Sequence, residues 1–440
     1  MILHAYRFEL DPNETQRVRL AKTVGASRFV YNWGLELSMR EYEVFGRRPQ
    51  LKDLKSRLVQ LKRDECPWLY EVSAHVGQSA LNDLNDAFER FFKGLNGEGP
   101  KSGYPRFKKR SERDSARLYE VALEERHVRL PLVGRVRLKE TRSERGFKGR
   151  ILSVTIRRRA DRWFISVCVR CERATVEPKP VRRPHDIVGV DLGVRSAAVI
   201  HDGRAVRVVE PARALRRHLK KLARLNRRLA RKQRGSRNSE RAKLELARLH
   251  YRIWCLRRNH LHQLTGSLAR TKSVIVLEDL DVNAMRRNRH LALSIGDAGM
   301  GEVRRQLSYK SDWYGARLIV AERLYPSTQL CSACGVPNQR VKGLAGLKER
   351  TFDCRACGRS LDRDANAALN LRAYGCKQLG IVPLPEGLRE VTPVERKALA
   401  REASGVKPAS LKQEASGRRS NGRHTQSRVE TLAGVVANGI

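Results

Sequence analysis

The chain has 440 residues, with 90 Lys or Arg against 47 Asp or Glu, a formal net charge of +43, and 40% hydrophobic residues. That apolar content builds packed cores, which excludes a disordered basic tail, and the length calls for roughly two to four domains. Self-repulsion at this charge needs a polyanionic counterweight, so nucleic acid is the expected partner and small-molecule metabolism is set aside.

Residues 1–10 alternate well enough for a short strand, and Asn13 with Gln16 three residues on has the form of a helix start. A helical pattern follows to about residue 95, with breaks expected at Gly25, at Gly46 and at the Cys66–Pro67 pair. Its clearest part is Ala74 to Leu95, where Val76, Ala80, Leu84, Phe88, Phe91 and Leu95 recur at spacings of three and four. Within the first helix Phe29, Val30 and Trp33 read as core. Residues 96–103 are a loop by composition.

From about 117 to 183 the period becomes two. His127 to Leu138 alternates, and Ile151–Ile156 reaches Trp163–Val169 across Arg157 to Arg162, as in a small antiparallel sheet or barrel. Pro178, Pro180 and Pro184 mark a linker. The second half opens with an apolar strand, Ile187 to Asp191, followed by short strands at Ala197–Ile200 and Ala205–Val209. Two long basic helices then turn at Gly235-Ser236. Later come strands at Val274–Glu278 and Leu318–Ala321 and an Ala-rich helix from about Asp364. Beyond Gly380 the composition is that of a mobile tail, 381–440.

The start, MILHAYRFELDPNE, has no apolar signal region, and apolar runs such as Val274 to Leu277 are far too short for a bilayer, so a soluble intracellular protein is expected. In that compartment cysteine patterns serve metals rather than disulfides.

Two constellations carry chemistry. Asp191 and Glu278 each end an apolar strand, where an unpaired carboxylate costs several kcal/mol, and Asp364 opens the Ala-rich helix. Singly, Asp191 fits a turn acid, Glu278 an ion-pair partner and Asp364 a helix cap. Together, in the order strand with Asp, two strands, helix, strand with Glu, helix with Asp, they fit an RNase H-like sheet. Three acids at one sheet edge suit two Mg²⁺ ions about 4 Å apart that clamp an in-line phosphoryl displacement.

The second constellation is Cys331-Ser-Ala-Cys334 with Cys354-Arg-Ala-Cys357, each followed by Gly, at 335 and 358. It reads as one closed, structural, tetrahedral Zn²⁺ site. Cys168-Val-Arg-Cys171 lacks a second pair and a following Gly. Residues three apart on a strand face opposite ways, so Cys168 is expected in the core. Cys66, Cys255 and Cys376 are read as structural. His127, His218, His250, His260 and His262 are expected to be solvated or phosphate-facing.

Eleven of the 22 residues from Arg213 to Arg234 are Lys or Arg, and none is acidic. Leu215, Leu219, Leu222, Leu225 and Leu229 form its apolar seam. Arg216, Arg217, Lys220, Lys221, Arg224, Arg227 and Arg228 are therefore expected against phosphates, as are Lys108 and Lys109 in Tyr104-Pro-Arg-Phe-Lys-Lys109.

These residues resemble the TnpB (OrfB) proteins of insertion sequences, which are similar to compact type V CRISPR effectors. The resemblance spans about residues 1–380. It rests on Arg28-Phe-Val-Tyr-Asn-Trp33, Tyr104 to Lys109, Gly189-Val-Asp-Leu-Gly193, Glu278-Asp-Leu280, Cys331-Ser-Ala-Cys-Gly335 and Asp362-Arg-Asp-Ala-Asn-Ala-Ala368. It implies RuvC-type catalytic acids at Asp191, Glu278 and Asp364, a zinc ribbon before the third acid, and a guide RNA. It also implies an α+β multidomain fold. Residues 1–12 and 104–183 would form a wedge-like β-barrel, with 13–103 inserted as a helical recognition domain. Residues 186–327 and 361–380 would form the RNase H-like (RuvC) α/β nuclease domain, with 328–360 as the ribbon. The expected function is RNA-guided cleavage of double-stranded DNA by an insertion-sequence endonuclease of the prokaryotic cytosol and nucleoid, with no membrane role. Alternatives are a stand-alone CRISPR effector, a nuclease-dead RNA-guided repressor, and a strand-transferring transposase.

Overall fold

The computed structural model describes residues 2–110, 114–142, 146, 149–171, 176–338 and 349–381. The expected tail therefore lies outside the described residues except for Ile381. Of the described chain, residues 2–171 and 218–255 form one compact unit, and residues 176–217 and 256–381 form another.

The first unit begins with β1 (Ile2–Asp11), α1 (Glu14–Phe45), α2 (Leu51–Asp64), a short turn of 3-10 helix (Pro67–Glu71) and α3 (Ala74–Leu95). Strands β2 (Ser115–Leu118), β3 (Ala122–Leu123), β4 (His127–Leu130), β5 (Gly134–Leu138), β6 (Arg150–Arg159) and β7 (Arg162–Cys171) follow. The start of α1 is a reciprocal cap: the Asn13 side chain accepts from the Gln16 amide at 2.9 Å, and Gln16 accepts from the Asn13 amide at 3.1 Å. The helix runs through Gly25 without the expected break and stops at Gly46. A glycine inside a helix costs only about 1 kcal/mol, which a long buried face outweighs. On α3, Val76, Ala80, Leu84 and Phe88 are buried, whereas Leu95, expected on that stripe, is exposed at the last turn.

The antiparallel sheet of this unit has the order β2-β6-β7-β1-β5-β4-β3. Phe8 of β1, Val30 and Leu35 of α1, Leu84 of α3 and Val154 and Ile165 of the sheet share one hydrophobic cluster, with Phe29 and Trp33 packed against it. Along β7 the inward residues are Trp163, Ile165, Val167 and Val169, so Cys171 continues the core face. This corrects the expectation for Cys168, which lies on the other face by the two-residue period.

The second unit holds β8 (Ile187–Asp191), β9 (Ala198–His201), β10 (Val206–Val209), β11 (Val274–Glu278) and β12 (Arg317–Ala321), in the order β10-β9-β8-β11-β12. Strands β8, β11 and β12 are parallel neighbours, and β9 runs antiparallel to β8 and β10. Helices α4 (Ala214–Ala230) and α5 (Arg237–Thr271) have residues in both units. Helices α6 (Val282–Arg287), α7 (Ala292–Ala298) and α8 (Met300–Tyr314) precede β12, and β13 (Thr351–Asp353), β14 (Ser360–Asp362) and α9 (Arg363–Gln378) close the described chain.

One face of the sheet packs Val188, Val190, Ile275 and Leu277 against Leu261, Leu264 and Leu268 of α5 and Val303 and Leu307 of α8. The opposite face packs Ile187, Val274 and Val276 against Leu371 and Cys376 of α9. A sheet covered on both sides explains why these strands read as unbroken apolar runs. Gly189 is the point of closest approach, because a Cβ there would fall on the Ala368 carbonyl oxygen.

Between α5 and α8 lies a buried polar ladder. Lys310 donates to the Thr265 hydroxyl at 2.8 Å and to the His262 carbonyl at 3.0 Å; Thr265 donates to Gln306 at 2.8 Å, and Gln306 donates to Glu302 at 3.0 Å. His260 and His262 are consequently half-buried rather than solvated or phosphate-facing as expected. Burial, with the Lys310 and Arg258 charges, lowers the His262 pKa to about 4, and burial lowers Lys310 to about 8.

Two outcomes follow. Gly189→Ala forces α9 away from β8 and destabilises the second unit by about 3 kcal/mol or more, read by denaturant unfolding. Between about pH 8 and the ordinary lysine value near 10.5 the unfolded chain binds the Lys310 proton more tightly than the folded one, so stability rises with pH there. Lys310→Met removes that rise, seen as a smaller gain in melting temperature from pH 8 to pH 10 than in the parent.

Candidate functional site

The parallel pairing aligns two acids. Leu277 stands opposite Val190, so Asp191 and Glu278 occupy the next step at the carboxyl ends of adjacent strands. By the two-residue period, Asp191 shares the face of Ile187 and Gly189, and Glu278 shares that of Val274 and Val276. That face is the one covered by α9. Helix α9 brings Asp364 in its first turn, and Asp362 caps the helix by accepting from the Asp364 and Ala365 amides, both at 3.0 Å. Asp364 lies 3.2 Å from the guanidinium of Arg363, a buried residue.

The electrostatics follow from this placement. Burial, then the negative charges of Glu278 and Asp364, pushes the Asp191 carboxyl well above the ordinary carboxylate range, with Arg363 opposing. Burial raises Glu278 as well, against a hydrogen bond donated by the Ser327 hydroxyl. A buried carboxyl raised by the charges of two neighbouring acids is short of positive charge, and an all-oxygen donor set is what Mg²⁺ takes, so these residues fit a hard divalent cation. Next to Glu278, Asp279 is paired with Arg304 and, at 3.2 Å, with Arg323.

The four cysteines come together. The Sγ atoms of Cys331 and Cys357 are 3.6 Å apart and those of Cys334 and Cys354 are 3.5 Å apart, with all four within 4.8 Å. Zinc–sulfur bonds of about 2.3 Å in a tetrahedron require sulfurs about 3.8 Å apart, so the set fits Zn²⁺. Gly335 and Gly358 both have φ of 73° and donate back to the Cys331 and Cys354 carbonyls at 2.8 and 2.9 Å, completing two matching knuckles. Among the described residues this is the group of three or more His, Cys, Asp or Glu side chains drawn that close; the acids are more widely set.

On α4 the side chains of Arg216, Arg217, Lys220, Lys221, Arg224, Arg227 and Arg228 belong to exposed residues, while Leu222 and Leu225 are buried. Arg228 is paired with Glu245 at 2.8 Å. In the Tyr104–Arg110 stretch Lys108 and Lys109 are both exposed residues; the Lys108 ammonium sits 3.7 Å from the centre of the Tyr31 ring, and desolvation there lowers its pKa. The Lys108 backbone is held at both its amide and its carbonyl by Asn32, at 2.7 and 3.0 Å. Sequence reasoning missed three further residues, Ser327, Asn366 and Asn370, all buried and bonded around the first knuckle. The two asparagines, four apart on an Ala-rich helix, were the available signal. Replacing Cys331 and Cys354 with Ser lowers bound zinc from about one per chain to none, measured by elemental analysis of the purified protein.

Known sequences place the chain. The family of OrfB from IS605, described as "Probable transposase", matches residues 166–289. A "Cas12f1-like, TNB domain" matches residues 301–371, and a "Helix-turn-helix domain" matches residues 1–47, which here form β1 and α1. A protein of Streptomyces pristinaespiralis named "Putative RNA-guided DNA endonuclease" is 34% identical over 418 residues, 94% of this chain and 96% of its own. The "Putative RNA-guided DNA endonuclease InsQ" of Escherichia coli is 32% identical, over 85% of this chain and 92% of its own. A solved structure titled "Cryo-EM structure of the Cas12f1-sgRNA-target DNA complex" covers 84% of this chain and 99% of its own at 15% identity and a TM-score of 0.34. With full-length relatives at this identity, the chain belongs to the OrfB (TnpB) family of insertion-sequence proteins.

Proposed function

We propose that the protein is an RNA-guided DNA endonuclease of an insertion sequence, and that Asp191, Glu278 and Asp364 are its catalytic acids. The observation that carries the reading is the aligned placement of Asp191 and Glu278 at the ends of β8 and β11, beneath the helix that carries Asp364 in its first turn. Family membership, through relatives named RNA-guided DNA endonucleases, supports guide RNA and target double-stranded DNA as partners. The exposed cations of α4 supply sequence-independent phosphate contacts, which leaves target choice to base pairing. The wedge-like barrel, inserted helical domain, RuvC-like domain and zinc ribbon, with the boundaries given above, belong to the same proposal. So does location in the cytosol; among the described residues no helix is long and apolar enough to cross a membrane.

Asp191, Glu278 and Asp364 would hold two Mg²⁺ ions. Bound there, the cations would activate water and offset charge on the scissile phosphate and leaving oxygen. The chain's own side chains prepare that site. Ser327 fixes one Glu278 oxygen by hydrogen bonding, and Arg363 offsets part of the charge of Asp364. The sheet core beneath excludes water and so strengthens every charge interaction at the strand ends.

Asp191→Ala lowers Mg²⁺-dependent, guide-directed cleavage by at least about 100-fold while leaving guide RNA affinity within about twofold. Cleavage at the parental rate by this variant removes Asp191 from the site. Sequencing the RNA that copurifies from the host separates guidance from direct strand transfer, which needs no bound RNA: one discrete element-derived RNA is expected, and random transcripts overturn guidance.

A further inference from the structure

We infer that the zinc knuckle positions the catalytic acids, through Asn366, Asn370 and Ser327. This rests on the reading of Asp191, Glu278 and Asp364 as the metal-holding acids.

The chain of contacts is continuous and short. The Asn366 side chain accepts from the Ser332 amide at 2.9 Å and donates to the Leu330 carbonyl at 2.7 Å, so it holds the peptide groups on both sides of Cys331. One turn later, Asn370 donates to the carbonyls of Leu330 and Ser327, both at 2.7 Å. Ser327 then donates its hydroxyl to the Glu278 carboxylate. A knuckle ligand, two amides on α9 and a catalytic acid are thus joined through a single serine. Asn366 is fully buried, and Asn370 and Ser327 nearly so. These bonds therefore form in a setting where an unmet partner is costly.

The arrangement has a mechanical logic. Residues 322–330 connect β12 to the first knuckle and are turns with little regular structure of their own. Closing four thiolates on Zn²⁺ fixes the Cys331 backbone. Fixing that backbone gives the asparagines rigid partners, and those partners lock Ser327 against Glu278. The same asparagines lie on the helix that carries Asp364, so the knuckle orients two acids from two elements. Asn366, Asn370 and Ser327 are positioning residues, since none is among the proposed metal ligands. Coupling of this kind is reciprocal: zinc that favours the ordered acids tightens their cation, and that cation in turn tightens zinc.

The test uses the full-length protein and Mn²⁺ as a spectroscopic stand-in for Mg²⁺, with affinity read by electron paramagnetic resonance and zinc by elemental analysis. The zinc-loaded parent comes first. Mn²⁺ binding that Asp191→Ala abolishes is the expected baseline; its absence overturns the acid-site reading itself, before any linking residue is changed. Given that baseline, Asn366→Ala/Asn370→Ala is expected to keep about one zinc per chain and to bind Mn²⁺ roughly 10-fold more weakly. Ser327→Ala, whose lost hydroxyl touches no knuckle atom, is expected to show the same loss with the zinc untouched, and Ser327→Thr to restore the affinity. Ser327→Ala decides the matter if the double variant fails to fold. Parental Mn²⁺ affinity in zinc-replete Ser327→Ala overturns the coupling, as does failure of Ser327→Thr to restore what Ser327→Ala loses.

Discussion

Negative charge buried at the ends of two adjacent, apolar, parallel strands is the constraint that organises the second unit. Asp191 lies almost without solvent contact, beside Glu278 and within the field of Asp364, and its carboxyl is pushed far from its ordinary behaviour. Such a cluster is unfavourable for the folded chain on its own, because both burial and like charge oppose ionisation. The rest of the unit offsets that cost with a sheet packed on both faces and a helix pressed onto it at Gly189. Instability is confined to the strand ends, where a divalent cation can relieve it.

Much of the charge that dominates the composition is gathered on one helix. Arg and Lys crowd the exposed side of α4, while near the acids Arg363 stands beside Asp364 and two arginines are engaged by Asp279. Exposed cations act over a Debye length and are screened by salt; buried pairs are screened far less. Two electrostatic regimes therefore coexist in one chain: a diffuse one suited to a polyanion, and a compact one suited to small cations.

Legibility from sequence divides along physical lines. Strands β8 and β11 were readable because a doubly covered strand is an unbroken apolar run, and an acid at its end stands out. The knuckles were readable because tetrahedral thiolate geometry dictates spacing and the following glycines. Helix α8 was not anticipated, because its buried side carries Gln306, Lys310 and Ser311 among its apolar residues, which breaks the stripe that periodicity seeks. The same buried network hid the surroundings of His262. Gly25 is a break by local propensity alone, and the tertiary packing of α1 overrides it. Ser327, Asn366 and Asn370 stayed hidden because a hydrogen bond across the fold leaves no spacing signal.

The position of α9 in the chain has a consequence for synthesis. It is the last helix of the described chain, yet it covers a sheet face whose strands begin far earlier, at Ile187. A ribosome emits residues in order, and domains fold as their segments emerge. A growing polypeptide halted before α9 therefore holds Asp191 and Glu278 but lacks Asp364, the cover for Ile187, Val274 and Val276, and the asparagines that grip the knuckle. Such fragments present an open greasy surface to chaperones and proteases. Emergence of α9 therefore supplies the third acid and the cover for that sheet face in one step.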